Sequence, residues 1–256
     1  MERGERHVWD DVRAARSTQG WALDDVLCLL ARGEMVASEL IPWGSNYTFA
    51  IRLKCDGVAA LAVYKPQRGE APLWDFPRGT LYQREYAAYV VSNVLGWDFI
   101  PPTVIRDGLH GLGSVQLFVE HQGQDFFDFR AERAAELQRM CAFDVVSNNA
   151  DRKAGHCLLS ADGRVWGIDH GLTFNVQPKL RTVIWDYGGE AVPQPLIDDL
   201  FELRTDPVRV KELHSRLTGC LTDEEIALLL KRIDTLVESP VFPLPYSRRS
   251  VPWPLY

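Results

Sequence analysis

The sequence predicts an α+β protein in two parts, because short strand-like runs fill its first third and helix-like runs fill most of the remainder. Three strand-like runs lie between Glu34 and Lys65, separated by turn signals. A helix-like run follows from Thr80 to Leu95 and stops at Gly96. We therefore expect a small antiparallel sheet in the first part and a helical second part.

Local signals define the elements of each part. The Asp56-Gly57 pair predicts a tight hairpin between the second and third strands, and residues 114–120 predict a further buried strand. In the second part, Thr222 is an N-cap candidate for a helix with acidic residues in its first turn. The expected helices cover 21–33, 80–95, 131–147 and 222–233, and a hairpin of two short strands covers 156–160 and 164–169.

Composition narrows the possible partners. The chain has 256 residues with a net charge of -7, and this charge argues against a nucleic-acid partner. No apolar run approaches the roughly 20 residues that span a bilayer, and the charged N-terminus has no signal-peptide pattern. The five cysteines are scattered without a C-x-x-C spacing. We therefore expect reduced thiols and a cytoplasmic protein.

The residues that predict chemistry cluster between Asn148 and Gly171. His156 follows Asp151 by five positions, and Asp169 follows it by eighteen. A protein-kinase catalytic loop separates its base Asp and its metal-binding Asn by the same five positions, and a second Asp then completes the metal site. The predicted hairpin would bring His156 and Asp169 together. The spacing thus predicts phosphoryl transfer from ATP, with Asp151 as catalytic residue and Asp169 and His156 as metal ligands.

His156 stands where that pattern has asparagine, and three outcomes are open. It binds a metal, with Mn²⁺ preferred over Mg²⁺ because Mg²⁺ favours oxygen ligands. It donates a hydrogen bond to a phosphate oxygen. Alternatively, the second metal site is lost, and catalytic activity with it.

Further candidates lie in the strand-rich part. Lys65 ends the third strand, where a lysine can reach nucleotide phosphates; a solvated strand-end lysine is the alternative. Glu85 lies on a largely apolar helix face and needs a partner, either Lys65 or, in an exposed pair, Arg84. Backbone N–H groups of the turn between the first two strands can cradle phosphate, although a plain hairpin turn fits equally. The candidates in this turn are Gly44, Ser45 and Asn46.

Four motifs together resemble a known family. They are V-Y-K-P at 63–66, G-S-V-Q-L-F-V-E at 113–120, S-N-N-A-D-R at 147–152 and G-I-D-H-G-L-T-F at 167–174. The chain resembles type II phosphatidylinositol 4-kinases and bacterial phosphatidylinositol 3/4-kinase-like proteins over about residues 35–190.

The resemblance implies a two-lobed protein-kinase-like fold that binds ATP and Mg²⁺ or Mn²⁺ between its lobes. It makes Lys65 the phosphate-binding lysine, Asp151 the catalytic Asp and Asp169 the metal-binding Asp. It places the inter-lobe hinge at Phe118, Val119 and Glu120, with Val119 contacting adenine. The expected organisation is one kinase-like domain over 1–256, with an N-lobe at about 1–119, a C-lobe at about 120–239 and a Pro-rich tail at 240–256.

One departure from the family bears on the acceptor. The eukaryotic lipid kinases carry a cysteine-rich, lipid-modified segment after the K-P strand, whereas residues 66–84 here contain no cysteine. We therefore expect a protein or soluble small-molecule acceptor and no membrane partner. A catalytically weak nucleotide-binding regulator, an AMP transferase and a phosphoinositide-type lipid kinase are the alternatives. The lipid alternative would use exposed aromatic residues, for which the candidates are Trp74, Phe76, Phe242, Tyr246, Trp253 and Tyr256.

Overall fold

The computed structural model describes residues 20–42 and 46–255. Their contacts divide the chain into two compact units. The first unit contains the described residues up to Tyr86 together with Pro101–Phe118, and the second contains Ala87–Ile100 together with the described residues from Val119 onward. The sequence analysis assigned about 1–119 to the N-lobe and about 120–239 to the C-lobe. These lobe boundaries stay predictions.

The first unit is built on a five-stranded antiparallel sheet, which agrees with the predicted α+β class. Its strands are β1 (Glu34–Ile41), β2 (Thr48–Cys55), β3 (Val58–Pro66), β4 (Thr103–Gly108) and β5 (Gly111–Leu117). They pair in the order β1-β2-β3-β5-β4. A helix, α1 (Leu23–Arg32), precedes them.

Turn chemistry explains the best-predicted part of this sheet. Asp56 and Gly57 both have positive φ, 48° and 81°, as a tight hairpin between β2 and β3 requires. The strand predicted at 114–120 ends three residues early, at Leu117. Sequence reasoning missed β4, because its T-V-I-R-D-G run mixes charged and apolar residues on a partly exposed edge strand.

The core of the first unit lies between α1 and one face of the sheet. Apolar side chains from both contribute to it, including Leu30, Ile51, Leu53, Tyr64 and Val115, which are all fully buried. Arg106 on β4 closes the end of α1, where its Nη1 donates to the carbonyl oxygens of Leu30 at 3.2 Å and Gly33 at 2.8 Å. These bonds satisfy carbonyl groups that the helix leaves without internal partners.

The second unit is mainly helical, as the sequence predicted. The helix α7 (Asp223–Glu238) begins with the predicted N-cap: Thr222 Oγ1 accepts from the Glu225 N–H, and the Glu225 side chain accepts from the Thr222 N–H. The helix α2 (Leu81–Val94) begins in the first unit and ends in the second. The other elements are α3 (Phe126–Phe129), α4 (Ala134–Ser147), β6 (Cys157–Leu159), β7 (Val165–Gly167), α5 (Gln194–Thr205) and α6 (Pro207–Leu217).

The Pro-rich tail is part of the second unit and packs onto the rest of it. Phe242 and Ser250 are 1% and 0% exposed. The Leu255 carbonyl accepts from the Ala154 N–H at 2.8 Å, three residues after Asp151. The tail is therefore anchored beside the predicted catalytic loop, a contact that no local sequence signal indicates.

Candidate active site

The hairpin of β6 and β7 brings two of the predicted site residues together. His156 ends a short 3₁₀ turn immediately before β6, and Asp169 lies two residues after β7. His156 Nε2 lies 3.2 Å from Asp169 Oδ2. The strand register, in which Cys157 pairs with Gly167, produces this proximity.

The surroundings of His156 select one tautomer of its ring. Its Nδ1 accepts a hydrogen bond from the Lys153 N–H at 3.4 Å. A neutral imidazole that accepts at Nδ1 carries its proton on Nε2. In this tautomer, Nε2 donates toward Asp169, and it can equally donate to a phosphate oxygen. Binding of a metal ion through Nε2 requires the Lys153 contact to break.

The Asp151 carboxyl has a raised pKa. Burial, with a smaller contribution from the charge of Asp169, raises its pKa from 3.8 to about 6, although Lys153 opposes the shift. Lys153 Nζ lies 3.3 Å from Asp151 Oδ2. A carboxylate with a pKa just below neutral is ionised at pH 7 yet basic enough to accept a proton, which suits a general base.

A fully buried ion pair holds the loop that carries Asp151. Arg152 and Asp144 are both 0% exposed and approach to 2.8 Å, with Arg152 Nε and Nη2 donating to the carboxylate. Burial alone would lower the pKa of Arg152, but Asp144 raises it, so the guanidinium stays charged. Arg152 Nη1 donates to the Ile168 carbonyl at 3.2 Å. The Arg152 side chain therefore connects the loop that carries Asp151 to the residue that precedes Asp169.

Polar side chains around this pair complete a buried network that sequence reasoning missed. Asn149 Nδ2 donates to Asp144 at 2.9 Å, and Asn149 Oδ1 accepts from the Asp151 N–H at 3.0 Å. His170 Nε2 lies 2.6 Å from Arg152 Nη2. Asp144 is a buried acid in an otherwise apolar stretch of helix, and this feature was the available sequence signal.

Asn148 has a structural role next to the same loop. It ends α4 in the left-handed region, with φ 52°. Its Nδ2 donates to the carbonyl oxygens of Asn175 and Gln177, and its Oδ1 accepts from the Lys179 N–H. Its side chain therefore joins the end of α4 to the segment that follows Asp169.

In the first unit, Lys65 and Glu85 form an ion pair through Lys65 Nζ and Glu85 Oε1. The Glu85 side chain is 4% exposed and that of Lys65 is 24% exposed, so the lysine retains access to solvent. A Cβ at Gly113 would lie 2.4 Å from the Lys65 carbonyl oxygen. Only glycine permits this close approach of β5 to β3, and the end of β3 is thereby held in place.

The remaining predicted residues fall in three places. Gly44 and Ser45 lie outside the described residues. Asn46 Oδ1 accepts from the Ala71 N–H at 2.7 Å. Phe118, Val119 and Glu120 follow β5 without regular structure, and the boundary between the two units falls between the first two of them.

The donor set near Asp169 fits a divalent cation that a nucleotide helps to bind. The Asp169 carboxylate is 49% exposed and supplies hard oxygen ligands. Within 20–42 and 46–255, no group of three or more His, Cys, Asp or Glu residues could hold a metal by itself. Mg²⁺ commonly takes one or two carboxylates and completes its shell with phosphate oxygens and water.

Solved structures with a kinase fold are similar to this chain. The Golgi casein kinase with Mn/ADP bound has a TM-score of 0.57 at 15% identity, covering 96% of this chain and 82% of that one. The hydra Fam20 structure with sugar has a TM-score of 0.58 at 14% identity, covering 91% and 95%. At these identities the similarity shows the fold alone, and this fold is kinase-like.

Comparison of sequences identifies the family. The model named phosphatidylinositol 3- and 4-kinase matches residues 110–218. Protein Rv2133c of Mycobacterium tuberculosis is 37% identical over 273 residues, covering 91% of this chain and 96% of that protein. Phosphatidylinositol 4-kinase gamma 4 of Oryza sativa subsp. japonica is 28% identical over 172 residues, covering 53% of this chain but only 30% of the rice protein. The chain belongs to the same family as Protein Rv2133c. Its match to the phosphatidylinositol 3- and 4-kinase model and its kinase-like fold support a phosphotransferase.

The buried ion pair yields a stability prediction. Asp144→Ala leaves the Arg152 guanidinium buried without its counter-ion, so we expect a loss of about 3–5 kcal/mol in the free energy of unfolding, measured by urea denaturation. The matched control is Asp186→Ala, which breaks an exposed pair with Arg130 at 2.9 Å and should cost about 1 kcal/mol or less. Equal losses in the two variants would contradict the central role of the buried pair.

The raised pKa of Asp151 predicts a gain in stability when its charge is removed. The folded protein binds the Asp151 proton more tightly than the unfolded chain, so ionisation costs stability as pH rises from about 4 to about 6. The shift corresponds to at most about 3 kcal/mol. Because the side chain is 25% exposed, we expect Asp151→Asn to gain about 1–2 kcal/mol at pH 7.5.

Thermal unfolding of this variant across pH checks the sign of the effect. The gain should disappear below about pH 4, where the wild-type carboxyl is protonated in both states. Asp162→Asn is a control of opposite sign, because a hydrogen bond from Ser160 lowers the pKa of Asp162. A gain for Asp151→Asn that persists at pH 4 would refute the assignment to ionisation.

Proposed function

We propose that this protein is a metal-dependent kinase that transfers the γ-phosphoryl group of ATP to a hydroxyl of a protein or a soluble small molecule. The observation that carries the proposal is the convergence of Asp151, His156 and Asp169 around one buried arginine. The match of residues 110–218 to the phosphatidylinositol 3- and 4-kinase model supports the same reaction class.

Each residue has a proposed role in the reaction. Asp151 accepts the proton of the acceptor hydroxyl as its oxygen bonds to the γ-phosphorus and the bond to the β-phosphate oxygen breaks. Lys65, held by Glu85, binds phosphate oxygens. Asp169 would hold Mg²⁺ or Mn²⁺, which neutralises phosphate charge when bound. His156 donates from Nε2 to a phosphate oxygen in the tautomer that Lys153 selects, and it becomes a second metal ligand only if that contact breaks.

Nucleotide contacts complete the proposal. Phe118, Val119 and Glu120 are proposed to form the segment that contacts adenine, and Gly44, Ser45 and Asn46 to form a phosphate-binding turn. The Mn/ADP complex of the structurally similar Golgi casein kinase supports the use of a nucleotide and a divalent metal. We place the reaction in the cytoplasm because all five cysteine thiols are free.

The proposed acceptor follows from the segment between β3 and α2. This segment contains no cysteine that could carry a lipid anchor. No helix within 20–42 and 46–255 is long and apolar enough to cross a membrane. Two of the aromatic candidates for membrane contact, Phe76 and Phe242, are 6% and 1% exposed and belong to the protein core. Trp74 and Trp253 are each 88% exposed, so sedimentation with anionic liposomes tests the lipid alternative.

Ligand-dependent thermal unfolding tests the ATP site. ATP at 100 times its Kd should stabilise the wild type by about 2.7 kcal/mol when Mg²⁺ or Mn²⁺ is present. Asp169→Ala should lose the metal-dependent part of this stabilisation, whereas Asp162→Asn, in the exposed β6–β7 turn, should retain it. Absence of metal-dependent stabilisation in the wild type would refute the proposed site. The intact mass of modified acceptor then distinguishes phosphate from AMP transfer.

The role of His156 decides between an active kinase and a nucleotide-binding regulator. If His156 is a phosphate donor in an active enzyme, His156→Asn should retain ATP turnover within about tenfold, because the amide can also donate a hydrogen bond. If the protein is a regulator, the wild type should bind ATP without turnover. A wild type that lacks turnover and gains it in His156→Asn would contradict the proposed kinase activity.

A further inference from the structure

Three consecutive residues, Gly69, Glu70 and Ala71, hydrogen-bond to two separate elements of the first unit. The Gly69 carbonyl accepts from the Tyr47 N–H at 2.9 Å. The Ala71 N–H donates to Asn46 Oδ1 at 2.7 Å. Both bonds reach the end of the turn that precedes β2. We call residues 69–71 the clamp.

The middle residue of the clamp turns to the start of α2. Glu70 Oε1 accepts from the Tyr82 N–H at 2.8 Å. Burial raises the pKa of Glu70, while the hydrogen bond from the Tyr82 N–H and the nearby backbone N–H groups at 79–81 oppose the rise. A carboxylate at this position satisfies N–H groups that a helix cannot satisfy internally and interacts favourably with the helix dipole.

The backbone of the clamp packs closely against Tyr47. A Cβ at Gly69 would lie 2.7 Å from Tyr47 Cβ, so the approach to the turn is possible only for glycine. On the Glu70 side, the start of α2 borders a cavity of about 190 Å³. The lining includes Gln67, Glu70, Leu73, Phe76 and Leu81.

The position of α2 matters because it carries Glu85. This residue lies three positions after Tyr82, on the first part of the same helix, and pairs with Lys65. A helix moves as a stiff unit over one turn, so a shift of its first turn changes where the Glu85 carboxylate meets the lysine. Small displacements of catalytic groups can cost about 10²-fold in rate.

We propose that Glu70 is a positioning residue that fixes α2 so that Glu85 holds Lys65 in place. Through its neighbours Gly69 and Ala71, Glu70 also links this ion pair to Asn46 and Tyr47. The proposal rests on the proposed ATP site, because both linked elements are assigned there to phosphate binding. Glu70 would act on the ion pair through α2, because its described hydrogen bond is to the Tyr82 N–H.

Kinetics of two variants separate positioning from simple stabilisation. Glu70→Ala should lower kcat for ATP turnover by about tenfold or more, at a temperature where the variant is fully folded. Glu70→Gln keeps an oxygen acceptor for the Tyr82 N–H and should stay within about threefold of the wild type. The control Glu34→Gln, at an exposed strand end, should match the wild type. Unchanged kcat in folded Glu70→Ala would overturn the proposal.

A double-variant cycle tests the route through Glu85. If Glu70 acts through that residue, Glu70→Ala should lower kcat by less than about twofold in a Glu85→Gln background, although it has a large effect alone. Multiplication of the two separate effects would overturn the route.

Hydrogen exchange of the nucleotide-free protein tests the same idea without relying on ATP. Glu70→Ala should speed exchange of amides 79–86 by about fivefold, the ratio typical of losing one helix cap, and should also speed exchange at 46–47. Glu34→Gln should change neither segment. If exchange responds as expected but the wild type binds no ATP, the proposed function fails while the positional link stands. If neither segment changes in Glu70→Ala, the link itself is refuted.

Discussion

The ion pair between Asp144 and Arg152 is the interaction on which the candidate active site depends. Both side chains are completely buried. Two unpaired charges in that environment would each cost several kcal/mol, so each residue requires the other. The arginine directly follows Asp151, and its Nη1 also binds the carbonyl that precedes Asp169. A single guanidinium thus joins α4, the loop after it and the end of the β6–β7 hairpin.

Two residues next to this network, Asn148 and Asp169, have a strained backbone conformation. Asp169 has φ 58° and Asn148 has φ 52°, a region that non-glycine residues seldom adopt. Such conformations persist where the surrounding contacts determine them, and they are concentrated at functional sites. Asn148 is fixed by three side-chain hydrogen bonds, and Asp169 directly follows the carbonyl held by Arg152. The Asp169 carboxylate lies 3.2 Å from His156 Nε2.

The two units arrange their charged residues by the same physical rule. In each, a buried carboxylate orients a cation: Asp144 orients Arg152, and Glu85 orients Lys65. Glu70 adds a third carboxylate, which accepts a hydrogen bond from the Tyr82 N–H at the start of α2. Buried carboxylates are costly unless such partners compensate them. Burial also raises the pKa of Asp151, to about 6, and this raised pKa suits the proposed role of a general base.

The sequence alone determined the α+β class, the hairpin at Asp56-Gly57, the cap at Thr222 and the candidates Lys65 and Asp151, because local turn, capping and spacing signals act over a few residues. It did not reveal β4, the anchoring of the tail beside Ala154, the network around Asp144, or the bond from Glu70 to α2. These features join residues that are distant in the chain or weakly patterned. Only tertiary structure decided them, since burial and hydrogen-bond partners exist only after the chain has folded.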